Sequence, residues 1–470
     1  MMSDDKRKSS LSRVKKDCTP TCHIRLSLRS LTNVSIYELV EADLHRKSGT
    51  EEPNFRHSNY ATSDVSTFLN VLKSSLGSGL LAMPSAFMNA GLLVGFLGTL
   101  LVGFLCAHCT YILVKSSQAL CSQLDKSHFN YPETSEAAFQ CALKGKFKKY
   151  STLAKQITNI GILLPCYGVG IIYVLTAAAT FKQVFENYTG LCYGMRWYVL
   201  LMIIPVMPIG TIRQMKYMVP FSAMANLFLL VGVSLTLYFT TSDFPALSSR
   251  PLSCDATRLP LFLSTVLFGM EGIGVILPIE NAMKNPKRFL GFTGILNCAM
   301  VIVVSLSLTM GVFGYVKYGD KVQGSITLNL PDTILAQTVK VLVALAILCT
   351  YGLQNIAAAQ IIWKVLQPKI PKEKEDFVYY TMRVLIVLGH VISAAVIPQL
   401  APVISLVGAL GLPLLGLAMP ALLETLTFWE DGLGLWRWRL WKNILLGLAA
   451  VVALVSGTWV SCLEITEAYS

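Results

Sequence analysis

Between residues 65 and 462 the chain is a succession of apolar runs, each about long enough to cross a bilayer, separated by short polar loops. A helix needs roughly 20 apolar residues to span the hydrocarbon layer. Only helices and closed barrels satisfy their backbone groups there. Eleven candidate spans are read at about 65–90, 91–117, 153–182, 196–212, 217–240, 258–282, 289–316, 333–363, 377–398, 402–427 and 441–462. The fourth is the shortest and holds Pro205 and Pro208. The expectation is an all-α polytopic membrane protein. Composition agrees, because charged residues make up only 14% of the chain, against roughly 25% in a soluble domain.

No loop is long enough to hold a second domain, so 65–462 is expected to be one transmembrane unit. Residues 1–64 are polar, basic and without sustained period, and are read as a disordered tail. They contain no signal-peptide run, so the first span is expected to act as the anchor. Residues 463–470 are expected to form a short, non-cytosolic tail, because an odd number of spans places the C-terminus outside.

The net charge of +12 raises the question of nucleic acid. The cations instead sit in alternate short loops, the positive-inside pattern. With the N-terminus in the cytosol, one side receives Lys144, Lys146, Lys148, Lys149, Arg213, Lys216, Lys284, Lys287 and Arg288. It also receives Lys364, Lys369, Lys372, Lys374, Arg437, Arg439 and Lys442. The opposite loops hold Arg196, Arg250, Arg258, Lys317 and Lys321. The lipid bilayer is thus the expected partner and nucleic acid is not.

Other features fit that topology. The sequon Asn187-Tyr188-Thr189 falls in an outer loop and is a glycosylation candidate. The sequon at Asn33 falls in the cytosolic tail. Trp429, Trp436, Trp438 and Trp441 bracket the last inner loop like an interfacial belt. Cys192 and Cys254 lie in consecutive outer loops, where a disulfide can form. Cys18, Cys22 and His23 lack the second ligand pair that zinc needs. Neither a metal nor a cofactor is implied.

Two runs carry the chemistry. Span one reads Ser75-Leu76-Gly77-Ser78-Gly79 and span six reads Phe268-Gly269-Met270-Glu271-Gly272. Each glycine costs a helix roughly 1 kcal/mol relative to alanine. Irregular backbone at membrane depth persists only where it lines a cavity or is buried in protein. Breaks at matching points of two five-span halves point to a transport site at an inverted-repeat interface. A half-helix N-terminus suits a carboxylate and a half-helix C-terminus suits an ammonium. These ten residues are the candidate substrate contacts, against the alternative that the glycines serve close helix packing. Glu271, a carboxylate in the break, is functional by default. Glu280 is read as an interfacial or gating charge near the inner end. Lys73 can snorkel or pair with an acid. His108 can titrate near neutral pH, although a satisfied buried histidine is the simpler reading.

The run Val71 to Gly95, the His108-Cys109 step, the run Gly269 to Lys284 and Gly324-Ser325-Ile326-Thr327-Leu328-Asn329-Leu330-Pro331 together resemble the proton-coupled amino acid transporters of the amino acid/auxin permease superfamily. The likeness covers about 65–462, and its most specific part is the span-six run. It implies eleven spans, a LeuT-like five-plus-five inverted repeat with one extra helix, and spans one and six broken. It also implies transport of small neutral amino acids, often with a proton, at a plasma or lysosomal membrane. Two positions depart from the pattern. Asn70 stands where the family carries a histidine implicated in proton coupling, which leaves Glu271, Asn70 and His108 as the candidate coupling positions. Thr333 stands where the family has a cysteine used in an outer disulfide, so a bridge at Cys192 would need another partner, with Cys254 the candidate. An amino-acid-sensing receptor would present the same site without much flux. An enzyme is disfavoured, since no metal cluster, nucleophile elbow or phosphate loop is found. A channel would need a continuous polar face that the spans do not clearly show.

Overall fold

The computed structural model describes residues 62–213, 218–242, 245–246, 249–270, 272–430 and 432–467. The expected tail over 1–61 lies outside the described residues, and with it Asn33, Cys18, Cys22 and His23. Residues 62–64, read as the end of that tail, are structured. Ser63 caps the first helix by accepting the Ser66 N–H at 3.3 Å, as short hydroxyl residues do at N-termini.

The described chain is all-helical apart from one isolated bridge, Thr62 to Met283. Span one is two helices, α1 (Asp64–Ser75) and α2 (Ser78–Ala90). Span two is α3 (Leu92–Gln123). A short helix α4 (Tyr131–Cys141) follows, and span three is α5 (Ser151–Thr189). Span four is α6 (Met195–Leu201) with α7 (Ile203–Thr211), and span five is α8 (Met218–Thr241). Span six is broken into α9 (Leu259–Gly269) and α10 (Ile273–Asn281). Spans seven, eight and nine are α11 (Ile295–Tyr318), α12 (Ile334–Leu366) and α13 (Glu375–Val396). Span ten is α14 (Leu400–Leu410), a π-helical turn at Pro413–Ala418, and α15 (Met419–Thr427). Span eleven is α16 (Trp438–Glu467).

Each of the eleven expected spans is present, and both expected breaks are where the glycines stand. Three features escaped the apolar-run reading. The first is α4, set in a basic loop and opened by a capping box in which Glu133 accepts the Asn130 N–H at 3.1 Å. The Asn-x-x-Glu spacing with Pro132 between them is its sequence signal. The second is the π-turn in span ten. The third is the sequon at Asn187, which occupies the last turn of α5 rather than a loop, with the Thr189 hydroxyl donating to the Phe185 carbonyl at 2.8 Å.

Membrane helices gain little from the hydrophobic effect against one another, so small residues that let backbones approach carry the packing. α2 crosses α9, and α5 lies along α12, pairing corresponding spans of the two halves. A Cβ on Gly168 or Gly411 would press into Val407 or Pro165, so α5 and span ten meet closely. At the end of the bundle with few cations, the Pro251 and Leu252 carbonyls accept the Leu92 and Leu93 N–H groups at 3.0 and 2.9 Å. This loop thereby satisfies the first turn of α3, whose own partners are missing.

Neither Cys192 nor Cys254 is bridged. This corrects the pairing expected from their adjacent loops. Cys254 is tied elsewhere: its N–H donates to Ala90 at 3.0 Å and its thiol lies 3.4 Å from the Met88 carbonyl. Cys192 stands exposed just past the end of α5. Thr333, at the position of the family's cysteine, is instead the N-cap of α12, accepting the Ala336 N–H at 3.3 Å.

Candidate functional site

The two breaks meet. A Cβ built on Gly79 would fall 2.5 Å from the Gly269 Cα. One built on Gly272 would fall 2.8 Å from the Ser75 hydroxyl. The first contact needs bare backbone, because real Cβ atoms do not approach another backbone so closely. Around this crossing four half-helices end or begin. α1 ends at Ser75, with the Leu76 N–H bonded to Leu72 at 2.8 Å, and α2 begins at Ser78 beyond the extended Gly77. α9 ends at Gly269 and α10 begins at Ile273. Helix ends leave N–H and C=O groups without intrahelical partners, with partial charge on each.

A cavity of about 380 Å³ reaches this crossing. At the breaks it is lined by Ser75, Leu76, Gly77, Ser78, Gly79, Phe268 and Gly272. Gly269 is instead packed on Gly79 and the Met83 methyl, and the Met270 methyl is directed at Gly103 of α3. Glu271 lies outside the described residues. Lys73 is among the lining groups, while Asn70 is half-buried on α1 and lies outside the lining. From the breaks the cavity runs to the basic end of the bundle, where exposed Lys364 and half-buried His128 and Asn130 border it. Toward the other end, Leu80, Met83, Phe87, Ile326 and Leu328 are buried and fill the space. Gln183 on α5 holds that plug by donating to the Leu328 carbonyl at 3.0 Å.

His108 is not in the cavity. Lys442 on α16 donates to its Nε2 at 2.9 Å and to Glu424 on α15 at 2.7 Å. His108 is thus hydrogen-bonded, as the simpler reading expects, but half-buried rather than buried. Glu280, expected as an interfacial charge, is 3% exposed and accepts from the Gln118 amide at 2.8 Å. Its position on α10 turns it into the bundle.

The opposite cavity wall was missed in the sequence. α12 contributes Ile347, Thr350, Gln354 and Lys364, α5 contributes Asn159, Cys166 and Tyr173, and α8 contributes Asn226. A signal existed. Thr350, Gln354, Gln360 and Lys364 stand at helical spacing, on one face of the helix.

The comparisons agree with this geometry. The family model for the transmembrane amino acid transporter protein matches residues 61–463. The chain is 37% identical over 435 residues, 90% of this chain and 92% of the other, to the proton-coupled amino acid transporter-like protein pathetic of Drosophila melanogaster. It is 25% identical over 423 residues, 86% of this chain and 90% of the other, to the probable amino acid transporter skat-1 of Caenorhabditis elegans. In fold it resembles the crystal structure of MhsT in complex with L-phenylalanine (TM-score 0.54, 14% identity, 83% of this chain and 98% of that one). It also resembles the inward-facing conformation of Mhp1 (TM-score 0.51, 11% identity, 86% of this chain and 90% of that one). The fold is thus the LeuT-like inverted repeat, and this integral membrane protein belongs to the transmembrane amino acid transporter family.

Proposed function

We propose that this amino acid transporter carries a small neutral amino acid by alternating access, with the substrate held where the two breaks cross. The observation that supports this most is the contact of Gly79 with Gly269 at the inner limit of the cavity. The N-terminus of α2, at Ser78 and Gly79, offers N–H groups to a carboxylate. The C-terminus of α9, at Phe268 and Gly269, offers carbonyls to an ammonium, and a zwitterion engages both. Apolar Phe268 and Ile347 border the remaining space, which suits a short uncharged side chain. By the positive-inside rule the basic end faces the cytosol, so the cavity is open inward in this state. The N-terminus is then cytosolic and Asn187 external, at a plasma or lysosomal membrane. Glycosidase treatment should change mobility, Asn187→Gln should abolish the change, and a change that survives overturns the orientation.

Coupling turns on Asn70 and Glu271. An amide does not titrate, so the position the family uses for a proton cannot carry one here. Glu271 keeps a proton route open. We favour facilitated flux, because the departure is at Asn70 while the glutamate is shared with the family. The test is labelled amino acid uptake at acidic and neutral outside pH, with and without sodium and a protonophore. Uptake that rises severalfold in acid and collapses with the protonophore overturns facilitation. Binding without uptake of any amino acid would overturn transport and leave the sensor reading.

A further inference from the structure

On α3, away from the cavity, Phe104, His108, Tyr111 and Lys115 follow at steps of four, three and four, so they share one face of the helix. Their groups are stacked. The Phe104 and His108 rings lie 6.3 Å apart at 13°, and the His108 and Tyr111 rings 6.5 Å apart at 19°. Lys115 Nζ then sits 5.7 Å from the Tyr111 centroid. At 1.5 Å per residue the stripe is about 16 Å long, against about 15 Å for the hydrocarbon of one leaflet. It therefore runs from near the bilayer midplane, where Phe104 is 68% exposed, to the interface at the basic end.

The stripe ends in a cluster of cations. Lys115 and Arg439 lie 5.8 and 5.7 Å from the ring centroid of Phe428. Lys442 beside them is engaged by Glu424. Among the described residues neither Lys115 nor Arg439 forms an ion pair, and Glu430 stands exposed in the same loop. That loop turns sharply. Trp436 and Arg437 are both left-handed, at φ 55° and 53°, a conformation costing on the order of 1–3 kcal/mol per residue. The turn leaves Trp436 90% exposed beside Trp438 and Trp441, the side chains that seek the headgroup layer. Lys115 and Arg439 flank an aromatic ring at the interface, outside any ion pair among the described residues, above an aromatic stripe that is exposed at Phe104 and half-buried at His108 and Tyr111; this matches a phosphate joined to an acyl chain.

The geometry points to a bound anionic glycerophospholipid, its phosphate on Lys115 and Arg439 and one acyl chain along the Phe104, His108 and Tyr111 face of α3. Arg439 supplies a fork suited to phosphate oxygens, and Lys115 supplies a point charge.

The test is native mass spectrometry of the full-length protein titrated with phosphatidylserine, phosphatidylcholine and soluble glycerophosphate. Phosphatidylserine is expected to bind in preference to phosphatidylcholine. A surface cation contributes about 1 kcal/mol to anionic lipid binding. Lys115→Gln and Arg439→Gln should therefore each weaken binding about fivefold, and together about thirtyfold. Lys369→Gln with Lys372→Gln, at the same end of the bundle, should leave it unchanged. Equal loss in that control pair, equal binding of phosphatidylcholine, or equal occupancy by glycerophosphate overturns the site. Should the double variant fail to fold, each single variant with a native melting temperature decides, and Lys115→Arg must retain the lipid.

Discussion

Gly79 and Gly269 touch backbone to backbone, so that a single methyl on Gly79 would lie 2.5 Å from the Gly269 Cα. The two broken spans are thereby held in one register at membrane depth. A neighbouring glycine behaves differently. Gly77 has nothing within 4 Å of its would-be Cβ, and its φ of −137° suits any residue.

The pair makes a sharp test. Gly79→Ala should overpack the crossing, costing about 1–3 kcal/mol and most of the uptake. Gly77→Ala should fold and transport close to normal. Gly77→Leu should fold yet block uptake, because its side chain enters the cavity. Uptake and surface expression are measured together. A fully active Gly79→Ala would mean that the crossing is not rigid.

The pair Lys442 and Glu424 is nearly buried, with side-chain exposures of 18% and 9%. Glu424→Ala leaves the ammonium with His108 and the Trp438 ring but no carboxylate, and should lower stability by about 3 kcal/mol, the low end for a broken buried pair. Glu424→Leu with Lys442→Met should restore most of it. Thermal unfolding in detergent reads both, and equal loss in the single and double variants would deny the pair its role.

Thr350 and Gln354 face the cavity from α12. Thr350→Val and Gln354→Leu should raise the KM for uptake severalfold while leaving expression intact. Unchanged KM in both would place the substrate path away from α12.

Cys192 and Cys254 are free thiols. An impermeant maleimide should label exposed Cys192 quickly and half-buried Cys254 slowly, without prior reduction. Cys192→Ser should not alter labelling of Cys254. Labelling that appears only after reduction would show a bridge.

The spans were legible in the sequence because a bilayer imposes length and apolarity on each segment separately, and both are local properties. The breaks were legible for the same reason, since Gly77, Gly79, Gly269 and Gly272 cost helix stability that only a cavity or close contact offsets. Which end of the bundle gathers the cations was legible in the loop lysines and arginines. What each polar side chain faces was not local. His108 and Glu424 are 316 residues apart, and only the packing of α3, α15 and α16 puts both on Lys442. Glu280 reads as an interfacial charge until α10 turns it toward Gln118. Cys192 and Cys254 share an expected side of the membrane, yet the backbone bond from Cys254 to Ala90 fixes one of them elsewhere. The sequence by itself determined how many times this chain crosses the membrane and where two crossings fail. The tertiary structure alone decided which broken ends meet, because a helix has no preferred rotation about its own axis until its neighbours supply one.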